Sequence, residues 1–360
     1  MAHIAIFLMP ERGHVLPALG MIAELVRRGH RVTCPITDSF AEAVTGCGAT
    51  VIPYETTLPA TLPESLFVAA QLALTEAESA LPQLADAVRD DPPDIIVWDI
   101  AAWTGGLLAR RLGVPNLVVE SLLTSNSHWS LGTSVVPART FNPEAIRFFT
   151  KVHEFVGSSL PEFIAGARRR IALFPREFQP EGDTFDERFA FTGPCLTERA
   201  FQGAWEPPGD KPVVLATTGA QVCANAARGM PWHLVTKGAV RNPAPNVEAR
   251  AEVPQLAVMA HASVFITHGG MGGVMEALHH GVPMIVVPHM TDQRVNGQRV
   301  EELGLGVLLD SVTEEGVRSL VDQLMSDSAI SARTKDMQRM IHRAGGSAFA
   351  ADVVEEELAR

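Results

Sequence analysis

One stretch of the chain spaces groups that could hold a nucleotide. His268 is followed eight residues later by Glu276, and the pair Asp292-Gln293 begins 24 residues after the histidine. Between them, the β-branched and aromatic run 264–267 leads into His268-Gly269-Gly270-Met271-Gly272-Gly273, and a helical pattern follows through Val274, Ala277 and Leu278. Glycines just before a helix let phosphate oxygens approach backbone N–H groups, and the helix dipole favours an anion there. Glu276, on the first turns of that helix, can accept hydrogen bonds from a ribose diol. Asp292-Gln293 follows the next strand, 284–287, at a carboxyl end, the edge where open α/β sheets bind ligands. This order of groups describes a nucleotide-diphosphate site.

A second candidate centre lies near the N-terminus. Glu11-Arg12-Gly13-His14 follows an apolar strand, 3–8, and precedes a helix expected to begin near Pro17 and run over 16–28. His14 therefore sits at a strand's carboxyl end, where an imidazole with an ordinary pKa near 6.5 can act as a base at neutral pH. Asp99 ends the strand 94–98. It could hold the other nitrogen of such a histidine, or cap the helix expected over 103–110. The remaining histidines have plainer readings: His30 closes a helix, His233 starts a strand, and His279-His280 end a helix, where charged imidazoles would offset the dipole. His128, after Ser125-Asn126-Ser127, reads equally as a loop residue or as the lining of a pocket. There is no D-x-D motif to hold a divalent cation on a diphosphate.

Positioning these groups needs a scaffold of strands and crossover helices. The 360 residues suit two domains, with apolar content of 46% for a core in each. Apolar runs at 3–8, 31–35, 50–53, 94–98, 116–119 and 171–174 alternate with amphipathic helical patterns, and a second set follows at 213–217, 233–236, 246–249, 264–267, 284–287 and 306–309. That rhythm is a parallel sheet covered by helices, made twice. Residues 195–212 carry three acids, Gly203, Pro207, Pro208, Gly209 and Pro212 without periodicity, so the interdomain linker is placed there, over 201–212. Segments 219–232 and 238–245 are short for a helix and loop.

The net charge of −12, from 29 basic and 41 acidic residues, leaves no basic stripe for nucleic acid or an anionic membrane. The arginine runs Arg27-Arg28, Arg110-Arg111 and Arg168-Arg169-Arg170 read as solvated helix ends. Cys34, Cys47, Cys195 and Cys223 have no metal-like spacing and read as reduced thiols. No apolar run approaches about 18 residues, and the first residues are too quickly interrupted for a signal peptide, so a soluble, cytoplasmic protein is expected. A homodimer is left open.

The spacing from His268 to Gln293, with Pro254-Gln255 ahead of it and Gly13-His14-x-x-Pro17 near the start, resembles the family 1, UDP-glycosyltransferase-like enzymes of the GT-B fold, most closely bacterial macrolide and polyketide glycosyltransferases. The resemblance covers nearly the whole chain. It implies an α/β protein with two Rossmann-like domains whose parallel sheets face across a cleft: an acceptor domain over 1–200, a donor domain over 213–345, and a last helix, within 346–360, crossing back onto the first. It also implies an inverting transfer of a hexose from a nucleotide sugar, UDP-glucose by the presence of Glu276, to a lipophilic hydroxyl compound, with no further cofactor and no metal. His14 would be the general base and Asp99 its partner. Thr218, Gly219, His268, Gly270, Gly272 and Gly273 would hold the diphosphate. Val253, Gln255 and Glu276 would meet the nucleoside, and Asp292 and Gln293 the sugar. The acceptor would lie among loops 58–74 and 122–149, with Phe67, Ser125, His128, Trp129 and Phe148 facing it, and with Leu66, Val135, Val136, Phe141 and Phe149 adding apolar area.

Three positions depart from the family's pattern. Glu252 stands where an aromatic residue commonly stacks on uracil. Gly272 and Gly273 replace polar residues after the glycine turn, and Thr218-Gly219-Ala220 lacks the serine that often follows the glycine. A dTDP-deoxysugar transferase, a UDP-sugar epimerase and a non-catalytic nucleotide-sugar-binding protein remain as alternatives. A dinucleotide oxidoreductase is disfavoured, because no G-x-G-x-x-G follows the first strand.

Overall fold

Short apolar runs become strands here because they are buried on both faces, as parallel strands between helical layers must be. The computed structural model describes residues 1–59, 63, 65–132, 143–197 and 200–360, and divides them into two units. Unit 1 is Met1–Thr197 with Ala344–Arg360, and unit 2 is Glu198–Arg343.

Unit 1 runs β1 (His3–Phe7), α1 (Arg12–Arg27), β2 (Arg31–Ile36), α2 (Asp38–Gly46), β3 (Thr50–Pro53), α3 (Leu66–Asp90), β4 (Ile95–Asp99), α4 (Trp103–Leu112), β5 (Asn116–Glu120), α5 (Pro143–Val156), α6 (Leu160–Ala165), β6 (Arg169–Ala172) and β7 (Phe189–Phe191). Its seven strands are parallel in the order β3-β2-β1-β4-β5-β6-β7. Alternate residues of each strand serve opposite faces. Ile4 and Ile6 of β1 pack with Leu19 and Ile22 of α1, whereas Ala5 and Phe7 pack with Trp98 and with the α3 and α4 side.

Unit 2 runs β8 (Val213–Ala216), α7 (Ala220–Ala227), β9 (His233–Lys237), β10 (Val247–Arg250), α8 (Gln255–Met259), β11 (Ala262–Thr267), α9 (Met271–His280), β12 (Met284–Val286), α10 (Thr291–Glu302), β13 (Gly306–Leu308), α11 (Glu314–Ser326) and α12 (Ser328–Arg343). Its strands are parallel in the order β10-β9-β8-β11-β12-β13. The short stretch after Gly219 holds the eight-residue α7, entered directly from a left-handed Gly219 at φ 63°.

α13 (Gly346–Leu358) completes unit 1. Its Ala350, Ala351, Val353 and Val354 are fully buried in the core that α1 also serves. Arg28 ties it down, bonding Glu24 on α1 and, through Nη1, Asp352 at 2.6 Å and Glu355 at 2.5 Å. His30 accepts the Ala2 N–H at Nδ1, so its Nε2–H donates to Glu355 at 2.9 Å.

Several expectations need correction. Arg28 is therefore no solvated helix end. Arg169 and Arg170 lie in β6, where Arg170 pairs with the buried Glu120 and stacks on Phe189, its guanidinium carbon 4.8 Å from the ring centre. β6 starts two residues earlier than the apolar run suggested, and the three-residue β7 was not expected. Arg110 donates to the Val156 carbonyl at 2.5 Å and lies over Phe163.

His279 and His280 do not carry charge to offset the α9 dipole. Burial, then the neighbouring His280 and His342, pushes His279 down to about 4; burial and His342 also lower His280. The His279 ring centre lies 4.6 Å from that of His342 on α12. An unfolded histidine binds its proton near 6.5, so this contribution to stability is complete above that pH and is lost as pH falls from about 6.5 towards 4. Screening by solvent at this partly exposed ring leaves a loss on the order of 1–2 kcal/mol. Urea unfolding at pH 7.5 and pH 5 should show a smaller difference for His279→Gln than for the wild type. An unchanged difference would remove His279 as the cause.

Candidate active site

Three adjacent strands of unit 1 deliver three polar side chains to one edge. After β1 the chain turns through a Glu11 N–H bond to the Met9 carbonyl. Extended Glu11 then caps α1, its Oε2 accepting the Gly13 N–H at 2.6 Å. The helix thus begins at Arg12, ahead of the expected start, and His14 lies in its first turn. Pro17 is inside the helix and supplies no N–H to the carbonyl of Gly13.

Asp99, the last residue of β4, is 0% exposed. Its Oδ1 accepts from His14 Nδ1–H at 2.7 Å and from the Ala101 N–H at 2.9 Å, and its Oδ2 accepts from the Ser121 hydroxyl at 3.0 Å. Three donors compensate a carboxylate taken out of water. Asp99 therefore orients His14 and also holds the turn before α4, although the helix's own N-cap is Ala102, which makes no side-chain bond. Binding at Nδ1 fixes the tautomer whose basic nitrogen is Nε2. Ser121, directly after β5, lies 2.9 Å from His14 Nδ1 and completes a three-residue network. Sequence reading missed it; the available signal was its place immediately after a strand next to β4.

In unit 2 the carboxyl ends of β8, β11 and β12 are neighbours. Gly269 has φ 86°, and a Cβ there would meet Val286 at 2.6 Å, so only glycine fits. Its N–H goes to the Thr267 hydroxyl and its carbonyl accepts from Asn296. The expected glycine turn is shorter than its sequence suggests, because α9 begins at Met271 and places Gly272 and Gly273 in the first helical turn. A Cβ on Gly270 would sit 2.7 Å from His268 Nε2, so the missing side chain lets the imidazole lie at the N-terminus of α9. Burial, with His289 and Lys237 nearby, lowers the His268 pKa, which makes it a neutral hydrogen-bond donor at pH 7.

His289, after β12, shares a 2.8 Å hydrogen bond with Thr218, after β8. It was not anticipated, and again its strand-end position was the available clue. Asp292 and Gln293 lie in the first turn of α10, both largely buried, so Asp292 is not a loop acid. Gln293 Oε1 accepts the N–H groups of His289 and Met290. Glu276 is also buried, its Oε2 accepting Gln255 Nε2–H at 2.6 Å, and Val253 is buried as well. Glu252 pairs with Lys237 at 3.2 Å, an exposed ion pair where an aromatic had been expected.

The expected acceptor residues fare unequally. Phe67 and Phe148 form an edge-to-face pair at 5.3 Å, with Phe148 buried in the unit 1 core and Phe149 exposed beside it. Ser125 Oγ accepts the Leu131 N–H; Asn126 Oδ1 accepts the N–H groups of His128 and Trp129. His128 is exposed. Val135, Val136 and Phe141 lie outside the described residues, as does the Leu66 side chain.

The family described as erythromycin biosynthesis protein CIII-like, C-terminal domain, matches residues 234–355. NDP-glycosyltransferase YjiC of Bacillus licheniformis is 36% identical over 394 residues, covering 99% of this chain and 98% of that protein. That span exceeds the chain's 360 residues, so the relative carries segments this chain lacks. Oleandomycin glycosyltransferase of Streptomyces antibioticus is 36% identical, over 99% of this chain and 91% of its own. Among solved structures, the kitacinnamycin glycosyltransferase has a TM-score of 0.87 at 35% identity, over 99% of both chains. The calicheamicin glycosyltransferase CalG4 has a TM-score of 0.84 at 34% identity, over 100% of this chain and 99% of its own. With two Rossmann-like parallel-sheet units of the GT-B class, this chain is a glycosyltransferase and belongs to the family that contains these enzymes.

Proposed function

We propose that the protein transfers a hexose from UDP-glucose, with inversion and without a metal, to a hydroxyl of a lipophilic natural product. The observation that carries this reading is the 2.7 Å bond between His14 and the fully buried Asp99. His14 Nε2 takes the proton of the acceptor hydroxyl as its oxygen attacks the anomeric carbon. The bond from that carbon to the diphosphate oxygen breaks, and UDP leaves with the electron pair. Asp99, held by Ser121 and the Ala101 N–H, stabilises the imidazolium. Charge growing on the leaving diphosphate meets the N-terminus of α9 and His268, with Thr218 and His289 at the same sheet edge. Glu276 receives the ribose diol, and Asp292 and Gln293 orient the sugar.

The acceptor class is supported by the relatives' names, which include oleandomycin glycosyltransferase and demethyllactenocin mycarosyltransferase of Streptomyces fradiae, the latter 34% identical over 99% of this chain. A dTDP-sugar donor is the second reading, favoured by Glu252, since an ion pair with Lys237 gives weaker discrimination of the base than a stacked ring. Among the described residues no helix is long and apolar enough to cross a membrane.

Incubation with UDP-glucose and a panel of macrolide, polyketide and flavonoid acceptors should give hexose adducts by mass spectrometry. EDTA should leave the rate within about twofold, because the diphosphate charge is met by helix dipole and imidazole. A rate abolished by EDTA and restored by Mg²⁺ or Mn²⁺ would overturn the metal-free mechanism.

A further inference from the structure

The hydrogen bond between Thr218 and His289 spans a whole strand of unit 2. β8 and β12 lie on either side of β11, and each stays paired with it past its own last residue: the Thr217 N–H donates to the Ile266 carbonyl, and the Val287 N–H to the Thr267 carbonyl. One and two residues further on, Thr218 and His289 reach across the carboxyl end of β11 to share their 2.8 Å bond. His268 leaves β11 at that end, near enough to His289 for the latter to help lower its pKa. Both ends of the bridge are held from behind. The His289 N–H is bound by Gln293 Oε1 at 2.9 Å, and the Thr218 carbonyl accepts the Cys223 thiol at 3.6 Å, just before left-handed Gly219 leads into α7.

His289 is exposed. A bond there between a hydroxyl and an imidazole adds little to stability, since water offers both groups equivalent partners. What it does is set two donors side by side on fixed backbone. A phosphate oxygen only accepts, so an anion at this point can take a hydrogen from the Thr218 hydroxyl and another from His289 Nε2–H. Other side chains supply little here: Gly272, Gly273 and Ala220 carry no polar group, and Lys237 is engaged with Glu252 at 3.2 Å. The first N–H groups of α9 also await an acceptor, because its N-cap, Gly270, has no side chain to offer them. We propose that His289 is a phosphate ligand of the donor site: when a nucleoside diphosphate arrives, the Thr218–His289 bond opens and both groups donate to the same phosphate. Resting on the reading that unit 2 binds the donor's diphosphate, this gives the chain a side-chain grip on the anion that residues 220, 272 and 273 cannot provide.

Calorimetric titration with UDP, UMP and uridine tests it without turnover. His289→Ala should weaken UDP by about tenfold and leave uridine unchanged, and Thr218→Val should do nearly the same. His289→Gln, whose amide NH₂ reaches the place of Nε2, should recover most of the loss. A loss for UMP as large as that for UDP puts the contact on the inner phosphate and a smaller one on the outer, and either supports the assignment. Equal UDP affinity in the wild type and a folded His289→Ala variant would overturn it, as would an equal loss for uridine, the mark of a residue that only supports the fold. Neither result touches the transfer reading, since α9 and His268 remain to meet the diphosphate. Wild-type protein that held UDP no better than uridine would instead overturn both, by removing diphosphate binding from unit 2.

Discussion

His14→Ala should lower turnover on an unactivated alcohol by about a hundredfold or more, the usual loss when a general base is removed. Affinity for UDP should barely move, because the proposed nucleotide contacts all belong to unit 2. Acidic acceptors, such as nitrophenols, should lose less, since they ionise without help. Asp99→Asn should also be slow, through the wrong imidazole tautomer. That variant forces an amide against groups that all donate to the native carboxylate: His14, Ser121 and the Ala101 N–H. Steady-state kinetics beside calorimetry of UDP binding checks the set. Full turnover by a folded His14→Ala variant would remove the residue from the mechanism, and activity that tracked only melting temperature in Asp99→Asn would leave Asp99 as a turn-former.

The donor preference should be nearly as large. If Glu276 accepts from both ribose hydroxyls, dTDP-glucose, which lacks the 2′-hydroxyl, leaves one acceptor without its partner. Hydrogen bonds to a charged group contribute about 1.5–3 kcal/mol each, so UDP-glucose should be preferred by about tenfold to a hundredfold in kcat/KM. Glu276 is preset for the task, being buried in the second turn of α9 with Gln255 fixing one oxygen at 2.6 Å. Glu276→Ala should erase most of the preference and weaken both donors. Side-by-side kinetics decides the matter, because equal efficiencies or a dTDP preference would point to the deoxysugar reading.

Most strands were legible because continuous apolar runs have few other uses in an α/β chain. β6 was displaced because Arg169 and Arg170 look like helix-end charges, and the partner that draws Arg170 inward, Glu120, lies 50 residues away. β7 was missed because three residues carry no pattern. The start of α1 was masked by Gly13 and Pro17, which read as breakers; the cap that overrides them is a side-chain bond from Glu11. Spacing picked out the candidate motif residues, and of these the structure joins His14 to Asp99 and Gln255 to Glu276. Ser121 and His289 were not picked out, since a single serine or histidine after a strand gains meaning only when neighbouring strands bring it a partner. His279 was misjudged for the same reason, its neighbour His342 arriving from another helix.

The return of α13 to unit 1 also sets the order in which the protein can be made. Unit 2 is one continuous insert, complete once residue 343 has been synthesised, whereas unit 1 stays without Ala350, Val353 and Val354 in its core until residues 344–360 emerge. During synthesis unit 2 can therefore close first, while the half carrying His14 and Asp99 waits with an uncovered α1 face. Residues 1–197 expressed alone would keep that face open, so an isolated unit 1 calls for residues 344–360 rejoined to it in a permuted or fused chain.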